Sequence, residues 1–167
     1  MATSIKGNDT STFGGNIDVT GNVVTDAPAF SAVKSGSGNQ SISTTTTTKV
    51  TFETEQWDLT NDYDTSNSRF TPSVEGYYHF NSSFYFLAPV DGGVTQIQLH
   101  KNGNVFKWGN ILTAAGTQAH SPTLSATAYA NGTTDYFELY IWQNSGTKSI
   151  EDVETLTWFD GYLVRAV

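Results

Sequence analysis

The chain has 167 residues and carries 16 acidic residues against 8 lysines and arginines, a net charge of −8. Because phosphate backbones are bound by clustered cations, this balance argues against a nucleic-acid partner. The sequence has no cysteine, which excludes disulfides, thiolate metal sites and a cysteine nucleophile. Aromatic residues make up 13% of the chain, which favours a packed domain over disorder. No stretch approaches the roughly 20 apolar residues of a membrane span, so no membrane insertion is predicted.

Residues 1–28 differ from the rest, because they are rich in Gly, Asn, Thr and Asp and contain few apolar side chains. Within them, residues 16–21 and 22–27 form a short near-repeat. Two interpretations stay open: a flexible tail, or a β-structured arm that gains stability only by pairing with other chains. We predict an N-terminal arm over residues 1–28 and one domain over residues 29–167. Residues 1–7 lack the apolar segment of a signal peptide, so no secretory route is expected.

From residue 29 onward, short alternating segments are separated by turn signals such as Asn102-Gly103 and Asn131-Gly132. No helical period is present, so the sequence predicts an all-β domain. The predicted strands cover residues 29–34, 49–53, 69–72, 77–88, 94–101, 105–108, 122–130, 135–143 and 156–166. Many short strands at this spacing are typical of a sandwich or jelly roll.

Three predicted strands, at residues 77–88, 135–143 and 156–166, carry large apolar side chains on both faces. A sandwich strand needs only one apolar face, so we expect the second faces to be covered by neighbouring subunits. The expectation is strongest for the face of Tyr136, Tyr140 and Trp142, for which no layer within the chain is left. The full set of predicted subunit-seam residues is Tyr77, Tyr85, Tyr136, Tyr140, Trp142, Trp158 and Tyr162.

A spaced set of aromatic, acidic and glycine residues runs through the chain: Phe52, Asp58, Tyr63, Phe70, Gly76, Tyr78 and Phe80, then Phe159 and Gly161 near the C-terminus. This pattern resembles the signature of C1q-like domains, the ten-stranded jelly roll shared with the tumour necrosis factor superfamily. One position departs, since Ser82 stands where an aromatic residue is expected. The resemblance implies a jelly-roll β-sandwich, a compact homotrimer and a recognition module without catalytic chemistry.

No catalytic constellation is apparent, because no Gly-x-Ser-x-Gly turn occurs and the three histidines are scattered. We therefore predict no enzymatic activity and no catalytic residues. The best metal candidate is the group Asp58, Asp62 and Asp64, whose hard oxygen ligands suit Ca²⁺. The loop lacks the Gly and distal Glu of an EF-hand, so a solvated acidic loop is the competing interpretation. No other cofactor is expected.

The four tryptophans could stack on sugars or pack in the core and the subunit seam. Trp108 is the best exposed ligand candidate, because its neighbours predict a strand end beside a loop.

The leading functional hypothesis is a homotrimeric virion-surface protein: a phage fibre, spike or capsid decoration. Its arm resembles the β-structured arms of phage fibre proteins, and we expect residues 1–28 to dock to other virion proteins. The outer domain would then contact a host surface glycan or protein. The alternative is a C1q-like ligand or glycan-binding module at a bacterial or animal cell surface, or secreted, with the arm as a linker.

Overall fold

The structure, a computed structural model, describes residues 27–167. The predicted arm lies almost wholly outside these residues. The described part contains fourteen strands: β1 (Ala29–Val33), β2 (Gln40–Ile42), β3 (Thr48–Lys49), β4 (Thr54–Asp58), β5 (Tyr63–Asp64), β6 (Arg69–Phe70), β7 (Glu75–Ser83), β8 (Phe86–Leu87), β9 (Val94–Lys101), β10 (Asn104–Thr113), β11 (Thr123–Asn131), β12 (Phe137–Gln143), β13 (Lys148–Ile150) and β14 (Trp158–Ala166). Within residues 27–167 there is no helix of the length and apolarity that crossing a membrane requires.

The strands form two main antiparallel sheets and a small third one. The five-stranded sheet has the order β11-β7-β14-β1-β4, and the six-stranded sheet has the order β10-β9-β12-β6-β5, with β3 also paired to β12. The third sheet has the order β2-β13-β8. Strands distant in sequence are neighbours in both main sheets, as in a jelly roll. The all-β sandwich predicted from the strand pattern is confirmed.

An aromatic core fills the space between the two main sheets. The ring of Phe30 stacks on Phe70 at 4.3 Å and meets Phe159 edge-on at 4.9 Å. The ring of Phe80 lies 4.5 Å from that of Phe137. Such pairs add roughly 0.5–1.5 kcal/mol each beyond the burial of their apolar area. Of the family-pattern residues, five aromatics are fully buried here: Phe52, Phe70, Tyr78, Phe80 and Phe159.

Two glycines of the pattern lie where neighbouring atoms leave no room for a side chain. A Cβ on Gly161 would lie 2.6 Å from Cδ1 of Phe80 and 2.9 Å from Cε1 of Phe30. At Gly76, a Cβ would collide with the main-chain carbonyl of Arg165. Neither glycine has a positive φ. Space, not backbone conformation, therefore requires glycine at both positions.

The predicted strand over residues 49–53 is wrong, because the chain crosses between the two main sheets there. β3 ends at Lys49 on the six-stranded sheet, and β4 begins at Thr54 on the five-stranded sheet. In the crossing, the main-chain N–H of Val50 donates to the carbonyl of Leu139, and that of Phe52 donates to the Ser68 hydroxyl. These buried N–H groups are satisfied outside a regular ladder.

The β9–β10 hairpin follows the turn signal in the sequence. Lys101 pairs with Asn104, which leaves a two-residue loop of Asn102 and Gly103 with φ of 54° and 77°. Positive φ at both loop residues is the geometry that favours Asn-Gly in tight hairpins. β10 then continues to Thr113, past the predicted end at residue 108, with register shifts between Val105 and Lys107 and between Trp108 and Ile111.

Candidate functional site

The outward face of the five-stranded sheet carries an exposed apolar cluster, called here the tyrosine face: Tyr77, Tyr129, Tyr162 and Val164. Tyr77 and Tyr162 are each 47% exposed, and Val164 is 57% exposed. Tyr77 lies opposite Tyr129 in the β7–β11 ladder, with ring centroids 5.7 Å apart. A contiguous apolar cluster on an outer surface is typical of a protein–protein contact.

Polar side chains continue this face beyond the tyrosines. His79 Nε2 lies 3.2 Å from both Asn81 Oδ1 and Ser125 Oγ. Its Nδ1 lies 3.2 Å from Thr127 Oγ1, so the imidazole lacks the carboxylate orientation of a hydrolase triad. Asp160 accepts a hydrogen bond from the Asn81 amide at 3.3 Å. Burial raises the pKa of Asp160, while Asn81 and His79 oppose that rise.

Strand β10 forms one edge of the six-stranded sheet, and none of its ten residues is buried. It carries Val105, Phe106, Trp108 and Ile111, all exposed. Trp108 is 53% exposed, but it lies inside β10 and not at a strand end, so its predicted position is wrong. A long apolar edge strand invites pairing with another chain.

The outward face of the six-stranded sheet carries the second aromatic group, called here the β12 face: Tyr136, Glu138, Tyr140 and Trp142. The guanidinium of Arg69 lies 3.8 Å from the centre of the Tyr136 ring. The His100 ring stacks on Tyr140 at 3.8 Å. The expectation that no group within the chain covers this face is therefore wrong for these two tyrosines. Their cover comes from β6 and β9, strands whose register with β12 the sequence pattern does not reveal.

Glu138 is the centre of the β12 face and is only 2% exposed. Its Oε1 accepts from Arg69 Nε at 3.0 Å and from Lys49 Nζ at 3.2 Å, and its Oε2 accepts from the Tyr140 hydroxyl at 3.2 Å. Burial and the adjacent Glu138 carboxylate raise the pKa of Tyr140. Sequence reasoning missed this cluster. The available signal was a single charge inside the apolar strand of residues 137–143.

His100 contributes a second buried polar group to the same face. It is 5% exposed, its Nε2 lies 3.0 Å from Gln98 Oε1, and its Nδ1 has no hydrogen-bond partner. Burial lowers the pKa of His100. The imidazole is thus held neutral near physiological pH.

The acidic loop uses its three predicted metal-binding carboxylates for its own hydrogen bonds. Asp58 accepts from the N–H of Tyr63 at 2.7 Å, and Asp62 accepts from the Thr60 hydroxyl at 2.7 Å. Hydrogen bonds from Asn67 and Ser66 lower the pKa of Asp64 to about 2.

An open groove of about 500 Å³ lies beside Asp62 and Asp64, with Glu55 also in its lining. Residues 27–167 contain no group of three or more acidic, histidine or cysteine side chains arranged to hold a metal ion. These carboxylates already accept hydrogen bonds, some of which a bound cation would have to displace. Calcium binding at this loop stays a prediction.

The predicted seam residues are divided between the two outer faces and one end of the sandwich. Tyr77 and Tyr162 lie on the tyrosine face, and Tyr136, Tyr140 and Trp142 lie on the β12 face. Tyr85 and Trp158 are half-buried where β14 begins. There the N–H of Tyr85 donates to the Thr157 hydroxyl at 3.2 Å, and the carbonyl of Trp158 accepts from the Ser82 hydroxyl at 2.7 Å. Ser82 thus uses its smaller side chain for a hydrogen bond.

Solved structures decide the fold type. The globular domain of zebrafish complement 1qA matches with a TM-score of 0.61 and 18% identity, over 84% of this chain and 99% of that chain. The Eiger TNF of S. frugiperda gives a TM-score of 0.65 and 10% identity, over 84% and 95%. Murine APRIL gives 0.62 and 11%, over 83% and 99%.

The chain has the C1q/TNF-like jelly-roll fold. No family model matches the sequence, and no curated protein sequence matches it significantly. The fold expected from the spaced aromatic and glycine residues is therefore confirmed by three-dimensional likeness at identities of 10–18%.

Proposed function

We propose that this C1q/TNF-like chain is a non-enzymatic binding module that works as a homotrimer. The tyrosine face carries the proposal. Tyr77, Tyr162 and Val164 are exposed in the single chain, and no strand of residues 27–167 packs on them as a further layer. Covering side chains of this kind removes apolar area from water at about 25 cal/mol per Å².

The β10 edge supplies a surface that fits this face. The sheet face and the edge strand are different surfaces, so a contact between them joins unlike surfaces of two copies and is heterologous. When such contacts close on themselves, they form a ring of subunits, here a trimer. Phe106, Trp108 and Ile111 on one copy would then cover Tyr77 and Tyr162 on the next. This arrangement leaves the β12 face on the outside of the ring and assigns Tyr136, Tyr140 and Trp142 to the outer surface.

Light scattering at micromolar concentration tests the assembly. A trimer of three 18.1 kDa chains is expected. A monomer at that concentration would contradict the proposal, because the apolar tyrosine face and β10 would then be stable in water.

For the location of the trimer we propose the virion surface, with residues 1–28 as the docking segment. The support is the β-branched near-repeat in those residues, whose pattern favours pairing with other chains. The chain enters the domain beside β14, since the carbonyl of Pro28 accepts from the N–H of Leu163 at 2.9 Å.

Deleting residues 1–26 tests the docking segment while leaving Pro28 in place. The truncated chain is expected to remain a folded trimer and to be lost from virus particles purified from the producing culture. Immunogold labelling of cell surfaces in place of particles would contradict the virion location and favour the cell-surface ligand.

A further inference from the structure

We propose that the β12 face binds acidic saccharides through carboxylate recognition by Lys49 and Arg69. This inference rests on the proposed function as a binding module and names its ligand class. Nothing in the assembly argument uses these cations.

The β12 face presents two cations to solvent. Lys49 and Arg69 share the single carboxylate of Glu138, and Asp64, which lies opposite Arg69 in the β5–β6 ladder, accepts its hydrogen bonds from Ser66 and Asn67. The side chains of Lys49 and Arg69 are 31% and 35% exposed, whereas that of Glu138 is 2% exposed. The positive groups therefore face solvent and the negative group is hidden beneath them. In a chain with a net charge of −8, these two exposed cations are the groups on this face that attract an anion.

Aromatic rings and a carboxamide lie beside the two cations on the same face. In the ladder, Tyr140 lies opposite the buried Gln98, and Trp142 lies opposite the half-buried Gln96 in the next row of the same face. A pyranose ring has an apolar C–H face that packs on aromatic rings, and hydroxyls that exchange hydrogen bonds with amides.

The same geometry favours a saccharide over an acidic peptide. Strands β9 and β12 lie inside the six-stranded sheet, so their main-chain groups are already paired. Extended peptides bind mainly by adding to a sheet edge, which this face does not offer. The carboxylate of a uronic or sialic acid would pair with the outer N–H groups of Arg69, with its ring on Tyr140 or Trp142.

Calorimetric titration of the full-length protein tests the ligand class. The probes are sialyllactose and trigalacturonate, which separate the two sources of the carboxylate, together with lactose and fully methyl-esterified trigalacturonate as neutral counterparts. Saturable binding of at least one acidic probe is expected, about tenfold tighter than its neutral counterpart. Equal binding of acidic and neutral probes, no binding of either acidic probe, or equally tight binding of poly-glutamate would overturn the proposal.

Variants locate the site. Arg69→Gln, Lys49→Gln and Trp142→Ala are each expected to weaken the acidic probe about tenfold. Lys148→Gln on β13 and Trp57→Ala on β4 are matched controls from other surfaces and are expected to bind as the wild type does. Should Arg69→Gln fail to fold, Lys49→Gln and Trp142→Ala decide the outcome. Equal losses in the controls would overturn the assignment to the β12 face.

Light scattering on the same samples separates this inference from the proposed function. A trimer that binds no acidic saccharide overturns the inference alone. A monomer contradicts the assembly, whatever it binds.

Discussion

The two outer faces of the sandwich carry similar aromatic residues, and their cross-strand neighbours make them different surfaces. On the tyrosine face, Tyr77 lies opposite both Tyr129 and Arg165, and Tyr162 lies opposite His79, yet the rings of Tyr77 and Tyr162 stay about half exposed. On the β12 face, Tyr136 lies under Arg69 and Tyr140 lies against His100 and Glu138. Aromatic residues on the second face of a strand thus predict that other groups pack on that face. They do not predict whether those groups belong to the same chain or to another one.

The largest effect is expected from placing one charge on either face. Tyr162→Glu should convert the trimer to a monomer, because closing the seam would bury three carboxylates away from water. Tyr140→Glu should leave the trimer intact while lowering its stability. Light scattering of both variants measures the difference. A monomeric Tyr140 variant beside a trimeric Tyr162 variant would place the seam on the β12 face.

A second test removes the buried carboxylate that distinguishes the β12 face. Glu138→Gln should lower the free energy of unfolding by about 2 kcal/mol, because Lys49 and Arg69 lose their shared partner but stay partly hydrated. Urea unfolding measures this loss, with the exposed Glu154→Gln as the matched control. Equal midpoints for the two variants would show that the cluster contributes nothing to stability.

The pH dependence of stability should be linked to the β12 face. Burial lowers the pKa of His100 below the ordinary histidine value of about 6.5, and it lowers that of His120 as well. The unfolded chain therefore binds more protons than the folded chain below about pH 6.5, so stability should fall as the pH drops through that range. His100→Gln should reduce the slope between pH 7 and pH 5 in urea unfolding. An unchanged slope would assign the effect elsewhere, first to His120.

The smallest expected effect lies on the tyrosine face. Because burial raises the pKa of Asp160, its charged form is disfavoured there, and Asp160→Asn should stabilise the protein at pH 7. A rise in Tm of about 2 °C is expected, since the new amide oxygen can still accept from Asn81. A decrease in Tm by calorimetry would mean that the carboxylate charge itself supports the face.

Much of the fold follows from the sequence because its signals are local. Alternation places Phe137, Leu139 and Ile141 in the core, and all three are fully buried. Asn102-Gly103 specifies its tight turn because both residues tolerate positive φ. The spaced aromatic and glycine residues indicated the jelly roll, which the likeness to solved structures confirms.

Only the tertiary structure decided what covers each second face. Strand periodicity determines which side a residue faces, but not which strand lies beside it. Arg69 and Glu138 are 69 residues apart in sequence, and the pairing of β6 with β12 brings them together. The crossing at residues 50–53 was equally hidden, because a buried segment between two sheets has the same apolar pattern as a strand within one. Long-range strand order is set by the packing of the whole domain, so no local pattern encodes it.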